Sequence, residues 1–420
     1  MLRSKKLQAG SLQFVLFIGA VIAVLLLTFV LLYHTHSLFD KKASKTIDLI
    51  KRTDFALHQA MGQKLKLNDS VSIDLKQEDG IKTTAIKSNW GIFEKITVVS
   101  QFKKNRFTKS ALVGGGVDMD FPALYLKDND RPMVIAGKAK ITGNAYLPKQ
   151  GIRPGSIRGR FYQFTRPVYG NVKQSTKTLP PIEPEVKSHI GQLLLDRGGM
   201  SGRNSIRFSN RLQLANSFEL PTQYIQGDVL RLSGVNLSGN IMVVATHKII
   251  VGKNAKLQDV VLIAPEIEFE NGFVGNLQAI ASSRIKVNRR VNLEYPSALV
   301  VDRGSRPNPK ERRKPNIEIG PGTSIKGIVA YFERTEENQF FPQLIISEKA
   351  SVYGEVFCEK NLELKGDVIG NVTTNAFMAL ENGSVYQNHL FGGTINADFL
   401  PQQYVGLLLN KEKAVAKWLY

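Results

Sequence analysis

Apolar residues recur at a step of about eighteen positions along residues 241–297. Within each repeat they alternate with polar residues, as in Ile249 and Val251, which is the period of a β-strand. Turn formers such as Asn271 and Gly272 separate the runs. Because so short a unit cannot bury its apolar side alone, the pattern predicts a mainly β fold, a right-handed parallel β-helix (a solenoid with about 18 residues per coil). The expected columns are Val244, Leu262 and Ile280; Ala245, Ile263 and Ala281; Ile249, Ile267 and Ile285; Val251, Phe269 and Val287; Ala255, Phe273 and Val291; and Leu257, Gly275 and Leu293.

Polar positions between these columns carry opposite charges on neighbouring coils. Glu266 is flanked by Lys248 and Arg284, and Glu268 by Lys286. Such side chains pair across strands about 4.8 Å apart and fix the register. No column pairs two carboxylates as glycoside hydrolysis requires, and no phosphate loop, nucleophile elbow or metal-ligand spacing is present. The sequence therefore predicts no catalytic residues, no cofactor, no metal and no small-molecule substrate.

A run of twenty apolar residues, Phe14–Tyr33, follows the basic residues Arg3, Lys5 and Lys6. As a helix it spans about 30 Å, the thickness of a bilayer core, so we expect an uncleaved single-pass anchor whose partner is the lipid bilayer. The short basic tail favours a cytoplasmic N-terminus in a bacterial inner membrane, with most of the chain on the extracytoplasmic side. A cytoplasmic location for the large domain is the alternative.

The helix is predicted to continue beyond the membrane as an amphipathic stalk. No Gly or Pro interrupts the chain between Ala20 and Met61. Apolar residues at steps of three, four and seven indicate one helical face. The residues of that face are Phe39, Ala43, Ile47, Ile50, Leu57 and Met61.

The segment from Lys5 to Gly10, followed by Ser11 to Val15 and the apolar helix, resembles the prepilin leader of type IV pilins and type II secretion pseudopilins. The resemblance implies leader-peptidase cleavage after Gly10. The family usually has Glu five residues after the cut, whereas this chain has Val15. The resemblance covers about sixty residues.

The remaining chain divides by composition. The triplet Gly114-Gly115-Gly116 is expected to break the chain within a β-rich collar, and six prolines between residues 148 and 184 predict an irregular excursion containing a short helix near Ile182 to Leu195. The predicted segments are a basic N-tail (1–10), transmembrane helix (11–36), stalk helix (37–62), collar (63–122), possible first coil (123–147), Pro/Gly-rich excursion (148–223), coils (224–301), basic loop (302–316), further coils (317–398) and a C-terminal cap (399–420).

Basic residues exceed acidic ones by twenty, which favours an acidic partner such as nucleic acid, anionic lipid or acidic polysaccharide. Two stretches stand out. Ile152–Arg166 interleaves Arg with aromatic residues, a composition suited to single-stranded nucleic acid or, alternatively, to a basic strand with a buried aromatic face. Arg303–Lys314 is rich in charge and Pro and indicates a solvated loop.

Cys358 is the sole cysteine, which excludes an internal disulfide, and only His34 and His36 lie close together among the histidines.

The coils themselves resemble bactofilins, bacterial cytoskeletal proteins that form short right-handed β-helices, polymerise end to end and associate with membranes. The resemblance rests on rung character in Leu257–Val260 and Leu362–Val372 and covers residues 228–301 and 317–385. The excursions and the long N-terminal helix depart from that family.

Three hypotheses of function follow. The first is a membrane-anchored β-helical scaffold of the bacterial envelope that associates with itself or with other envelope proteins. The second is a minor pilin or pseudopilin-like component of a pilus, secretion or DNA-uptake machine. The third is a surface binder of acidic polymer, motivated by the net charge of +20.

Overall fold

The computed structural model describes residues 10–73, 80–117, 121–196, 204–304, 314–335, 340–409 and 412–419. In these ranges the chain is mainly β, with one long apolar helix at its N-terminal end. Helix α1 runs unbroken from Gly10 to Gly62, which confirms the predicted continuity of membrane segment and stalk. Helix α2 spans Pro184–Leu195, within the stretch where a short helix was predicted.

An antiparallel sheet, here called the collar, follows α1. It combines strands that come directly after the helix with two from the end of the chain. The predicted terminal cap over residues 399–420 is therefore wrong, because β30 and β31 pair with β4 instead of closing a stack of coils. The collar strands are β1 (Ser70–Ser72), β2 (Lys82–Trp90), β3 (Phe93–Phe102), β4 (Asn105–Gly116), β30 (Val405–Gly406) and β31 (Lys413–Leu419).

The rest of the chain forms a body of mainly parallel strands, and the segments that pair from one strand to the next are here called rungs. Its strands are β5 (Leu124–Leu126), β6 (Met133–Ala136), β7 (Lys140–Thr142), β8 (Ala145–Leu147), β9 (Ile152–Pro154), β10 (Ser156–Ile157), β11 (Arg160–Phe161), β12 (Val168–Tyr169), β13 (Val172–Gln174), β14 (Ser205–Arg207), β15 (Gln213–Asn216), β16 (Gln223–Leu232), β17 (Asn236–Gly239), β18 (Ile241–Val251), β19 (Lys256–Phe269), β20 (Val274–Val287), β21 (Asn292–Asp302), β22 (Ile317–Ile319), β23 (Ser324–Phe332), β24 (Leu344–Ile346), β25 (Ser351–Leu364), β26 (Asp367–Glu381), β27 (Ser384–Gln387), β28 (His389–Phe391) and β29 (Thr394–Asn396). The exceptions to parallel pairing within the body are the hairpins β10–β11 and β26–β27.

Two of the predicted inward columns are confirmed residue by residue. Ile249 lies opposite Ile267, and Ile267 opposite Ile285, at the eighteen-residue step. Val251, Phe269 and Val287 align in the same way. The column of Ile249, Ile267 and Ile285 continues through rungs that are not all eighteen residues apart. Its side chains therefore still stack where the spacing along the sequence changes. Its further members are Ile317, Leu344, Leu362 and Phe377.

The columns predicted through Val244 and Ala245 are wrong by one residue. Register shifts within β18–β19 and β19–β20 place Val244 opposite Ile263, and Ile263 opposite Ile280. A slip of one residue exchanges the two faces of a strand, so these three side chains point away from the inner core. They belong to a second apolar cluster on the outside of the body, where the collar and α2 cover them.

The predicted charge ladder has the right neighbours but different bonds. Lys248, Glu266 and Arg284 lie opposite one another as expected. The ion pairs run diagonally instead, from Lys248 Nζ to Glu268 Oε2 over 2.7 Å and from Arg284 to Glu318 over 2.9 Å. The hydrogen bond from Lys248 lowers the pKa of Glu268. These pairs are partly exposed and serve register more than stability.

The segment predicted as an irregular excursion, 148–223, forms rungs at both of its ends. Strands β9, β12 and β13 continue the rungs begun by β5–β8, while β14 and β15 start the main run of rungs. Between them, α2 packs on the outside of the body. The N-terminal rungs stack on the last rung of the main run, because β26, β28 and β29 pair with β5, β6 and β7.

Candidate functional site: the apolar helix and its docking platform

The first half of α1 is exposed along its whole apolar run. Every residue of Phe14–Tyr33 is solvent-exposed within the chain, and this helix alone is long and apolar enough to cross a membrane among the described residues. Its threonine hydroxyls are satisfied internally, since Thr28 donates to the carbonyl of Val24 over 2.8 Å and Thr35 to that of Leu31 over 2.7 Å. A helix that satisfies its own polar groups and exposes only apolar side chains is suited to lipid.

The second half of α1 docks on the collar through small residues. Ala56 and Leu57 are fully buried and Ala60 nearly so, and they pack against Ala85, Ile96 and Val98 of β2 and β3. The predicted stalk face is therefore only partly correct, because Leu57 is buried whereas Phe39 and Ile47 remain exposed. The exposed helical length between Tyr33 and the first buried residue, Leu49, is about 22 Å.

Buried hydroxyls fix the helix against the sheet. Thr53 donates to the carbonyl of Leu49 over 2.7 Å, its Oγ1 lies 2.8 Å from Ser100 Oγ, and Ser100 Oγ lies 3.1 Å from Thr83 Oγ1. Their side chains are at most 3% exposed. Because buried polar groups are costly when unpaired, this chain of hydroxyls favours one rotation of α1 about its axis.

A largely buried cation, Lys109, ties the helix to the C-terminal strand β31. Lys109 Nζ on β4 lies 2.5 Å from Asp54 on α1 and 3.9 Å from the ring centre of Trp418 on β31. The lysine therefore bridges three elements from distant parts of the sequence.

One of the contacts between the collar and the body is made by a buried amide. Gln278 on β20 accepts from the backbone N–H of Ile92 over 2.8 Å and donates to the carbonyl of Trp90 over 3.0 Å. The intervening Gly91 has φ +63° and leaves no room for a Cβ, which would lie 2.0 Å from the Gln278 amide oxygen. Glycine thus allows both the turn and the close approach.

Charged groups reinforce the same junction. Lys417 on β31 contacts both oxygens of Asp259 on the body, at 2.6 and 2.8 Å. Glu94 in the collar is 1% exposed and lies 3.4 Å from Lys87 and 2.7 Å from Lys413. Burial lowers the pKa of Lys87, but its hydrogen bond to Glu185 of α2 and the charges of Glu94 and Glu185 outweigh that effect, and the net direction is upward.

The residues on either side of β30 provide a third connection between collar and body. Glu355 on the body accepts from the backbone N–H of Leu407 over 2.6 Å. Tyr404 is buried, donates to the carbonyl of Gly327 over 2.9 Å and accepts from the backbone N–H of Glu355. Its burial raises the pKa of the Tyr404 hydroxyl well above the usual value. Collar and body are therefore held by several independent polar contacts around an apolar interface.

The other residues selected from the sequence are distributed as follows. Ile152–Arg166 is described throughout and lies at one end of the body, whereas most of Arg303–Lys314 and the leader residues before Gly10 are outside the described residues. Cys358 is fully buried in the core, where burial raises its pKa to about 12. Within the described ranges, no group of three or more His, Cys, Asp or Glu side chains is arranged to hold a metal ion.

Sequence reasoning missed the residues that join collar to body. Gln278 and Glu355 belong to an outward column that is otherwise mostly apolar, Met242, Val261, Ala298 and Ile328. A polar residue in such a column was the available signal. It had no meaning without knowledge that the outward face is covered.

The triplet Gly114-Gly115-Gly116 was also misread. It does not break the chain but ends β4 where the C-terminal segment crosses closely. A Cβ on Gly114 would lie 2.4 Å from the carbonyl oxygen of Gly406, and one on Gly115 would lie 2.2 Å from that of Leu407.

Comparison of the chain with family models, with curated proteins and with solved structures found no match.

Proposed function

We propose that this protein is a membrane-anchored structural subunit, in which Phe14–Tyr33 inserts into the bilayer and the collar and body are presented beside it. The observation that carries the proposal is the unbroken helix α1, exposed and apolar in its first half and rigidly docked in its second. No flexible linker separates the membrane segment from the folded part. An anchor needs no such rigidity, whereas a subunit whose position within an assembly matters does.

One form of assembly, which the N-terminal resemblance suggests, is pilin-like. The resemblance to prepilin leaders implies a cut after Gly10, which would leave Ser11 as the first residue of the mature chain. The rigid second half of α1 supports a role in a pilus, secretion or DNA-uptake machine, because helices that pack side by side would carry the collar and body with them.

A self-associating envelope scaffold is the second candidate, and the parallel stacks favour it. We propose that the rungs wind as a right-handed β-helix, since parallel crossovers are almost always right-handed. The resemblance to bactofilins adds polymerisation through the ends of the body. We place the collar and body on the extracytoplasmic side of the inner membrane, because the short basic tail favours the cytoplasm.

The decisive experiment determines the N-terminal residue of the protein extracted from membranes of the native host. Ser11 as first residue, with full-length protein accumulating in a Gly10→Val variant, supports the pilin-like subunit. An intact Met1 overturns that form and leaves the anchored scaffold. Protease treatment of intact spheroplasts then tests the side, since degradation of the body is expected only for an extracytoplasmic location.

The anchor itself is tested by alkaline extraction. Leu25→Arg together with Leu26→Arg places two charges in the centre of the apolar run and is expected to release the protein into the soluble fraction. Phe55→Arg is the matched control, because Phe55 is 63% exposed on the docked half of the same helix. Retention of the double variant in the membrane would contradict insertion of this segment.

A further inference from the structure

The rungs formed by residues 123–178, here called the basic rungs, carry much of the chain's positive charge. They contain eleven Lys and Arg against two Asp, an excess of nine out of twenty for the whole chain. The stretch from Ile152 to Lys173 contains no Asp or Glu at all. Charge of one sign concentrated in fifty-six residues marks a surface for an anionic partner.

The basic rungs form one end of the body, beyond the area that the collar covers. An outward column that is apolar at Val300, Ala330 and Phe357 continues through Thr373 into Tyr125, Tyr146 and Lys173. The rings of Tyr125 and Tyr146 stack at 5.4 Å, and Lys173 Nζ lies 5.7 Å from the second ring. The outward surface thus changes from buried and apolar to open, aromatic and basic.

A hairpin at this end combines exposed cations with a free aromatic side chain. Strands β10 and β11 pair antiparallel and are anchored by Ile157, which is 1% exposed. Phe161 on the same hairpin is 70% exposed. Arg158, at the turn, donates a hydrogen bond to the backbone carbonyl of Asn382 at 3.4 Å, and no carboxylate of the described residues forms an ion pair with it. An aromatic side chain this exposed, beside arginine, is poorly explained by packing.

Two more arginines stand on the same terminal rung. Arg153 and Arg166 are exposed, and no carboxylate of the described residues forms an ion pair with either. Tyr162 lies against the end of the core, and its hydroxyl donates to the carbonyl of Arg166 over 2.6 Å, which holds the loop in place. Burial raises the pKa of Tyr162 to about 12. The cations are therefore carried by an ordered surface.

We propose that the basic rungs bind single-stranded nucleic acid, with phosphates at Arg153, Arg158 and Arg166 and a base stacked on Phe161. Phosphates accept hydrogen bonds and carry charge, which matches a surface of donors, and bases stack on aromatic side chains without sequence preference. A polysaccharide offers many hydroxyl donors, for which the carboxylate-free stretch is a poor match. This proposal is independent of the pilin-like or scaffold role of α1.

The test measures binding of a fluorescent thirty-nucleotide oligothymidylate to the full chain in zwitterionic nanodiscs between 50 and 200 mM salt. Replacement of Arg153→Gln, Arg158→Asn and Arg166→Gln is expected to make the slope of log K against log salt shallower by about 2, because each lost phosphate contact contributes about 0.7. Phe161→Ala is expected to weaken binding about tenfold, with little change in slope.

The control variant removes three exposed cations elsewhere on the body, Lys253→Gln, Arg289→Gln and Arg290→Asn. It matches the first in charge and in having one Arg with positive φ, Arg290 in place of Arg158. An equal change of slope in both variants would show diffuse attraction and overturn the proposal.

Two other results would also overturn it. Unchanged oligothymidylate binding, together with lost binding to vesicles containing anionic lipid, would assign the arginines to a membrane surface. Heparin binding that equals nucleic-acid binding and ignores Phe161→Ala would assign them to acidic polymers in general.

Discussion

Leu124 lies opposite Val372 in a parallel pair. The backbone N–H of Val372 donates to the carbonyl of Ala123, the residue before Leu124, over 2.8 Å. The first rung of the sequence is thereby stacked on the last. Both side chains are fully buried in the inner core, so this contact joins distant parts of the chain inside one apolar interior.

Truncation of Leu124 tests that contact. Leu124→Ala is expected to lower the free energy of unfolding by about 2 to 5 kcal/mol, because it leaves a cavity between two rungs. Chemical denaturation followed by intrinsic fluorescence measures the change. Leu67→Ala is the matched control, since Leu67 is 40% exposed and should lose less than 1 kcal/mol. Equal effects of the two variants would show that the first rung is not packed as described.

Removal of the Gln278 amide should loosen the collar from the body. Gln278→Ala leaves the N–H of Ile92 and the carbonyl of Trp90 without their partner, at a cost of about 2 to 4 kcal/mol. Hydrogen exchange at residues 90–93 should accelerate more than at α1. Gln402→Ala, on an exposed residue, provides the control. Unaltered exchange at the collar edge would contradict the role assigned to this amide.

Two adjacent glycines on β4 are expected to differ in how well they tolerate an added methyl group. Gly115→Ala places a Cβ 2.2 Å from the carbonyl oxygen of Leu407 and should destabilise the protein by about 1 to 3 kcal/mol. Gly116→Ala meets its nearest atoms at 3.3 and 3.4 Å and should be tolerated far better. Limited proteolysis reports release of the C-terminal strands. Equal resistance of both variants would refute the close crossing.

Lowering the pH should weaken the packing of helix α2 on the body, because His189 becomes protonated. Its Nε2 is buried without a hydrogen-bond partner, and burial lowers the pKa of His189 to about 4. Because the unfolded residue titrates near 6.5, the stabilisation is complete above that pH and is lost as the pH falls from 6.5 towards 4. Discounted for partial exposure, the effect amounts to about 1 to 3 kcal/mol.

Hydrogen exchange of α2 at pH 7 and pH 5 measures this loss. His189→Phe carries no ionisable group and should abolish the difference between the two pH values. If wild-type protection of α2 were the same at both, the buried imidazole would not control docking of this helix.

The sequence allowed the local parts of this fold to be predicted better than their long-range order. The continuous helix and the columns through Ile249 and Val251 followed from periodicity, because both are set by spacing along one segment. The prediction of the column through Val244 was wrong because the outward face is also apolar, so composition does not reveal a one-residue shift. The pairing of the C-terminal strands was not predicted, because their partner β4 lies about three hundred residues away and leaves no local pattern in the sequence.

The candidate site was predictable to the same degree. The long apolar helix was predictable from length and hydropathy alone. The stalk face was misassigned at Phe39 and Ile47, because the apolar residues of that half lie on several sides of the helix and only the small residues Ala56 and Ala60 permit close packing on a sheet.

The stacking of the earliest rungs on the latest has a consequence for biosynthesis. Strands β5 to β7 leave the ribosome long before β26 and β29 exist, so their inner edge must wait until nearly four hundred residues have been made. A chain that terminates early would keep that edge unpaired and open to proteases and to misassociation. Pairing of β5 and β7 with β26 and β29 therefore depends on synthesis of almost the whole chain.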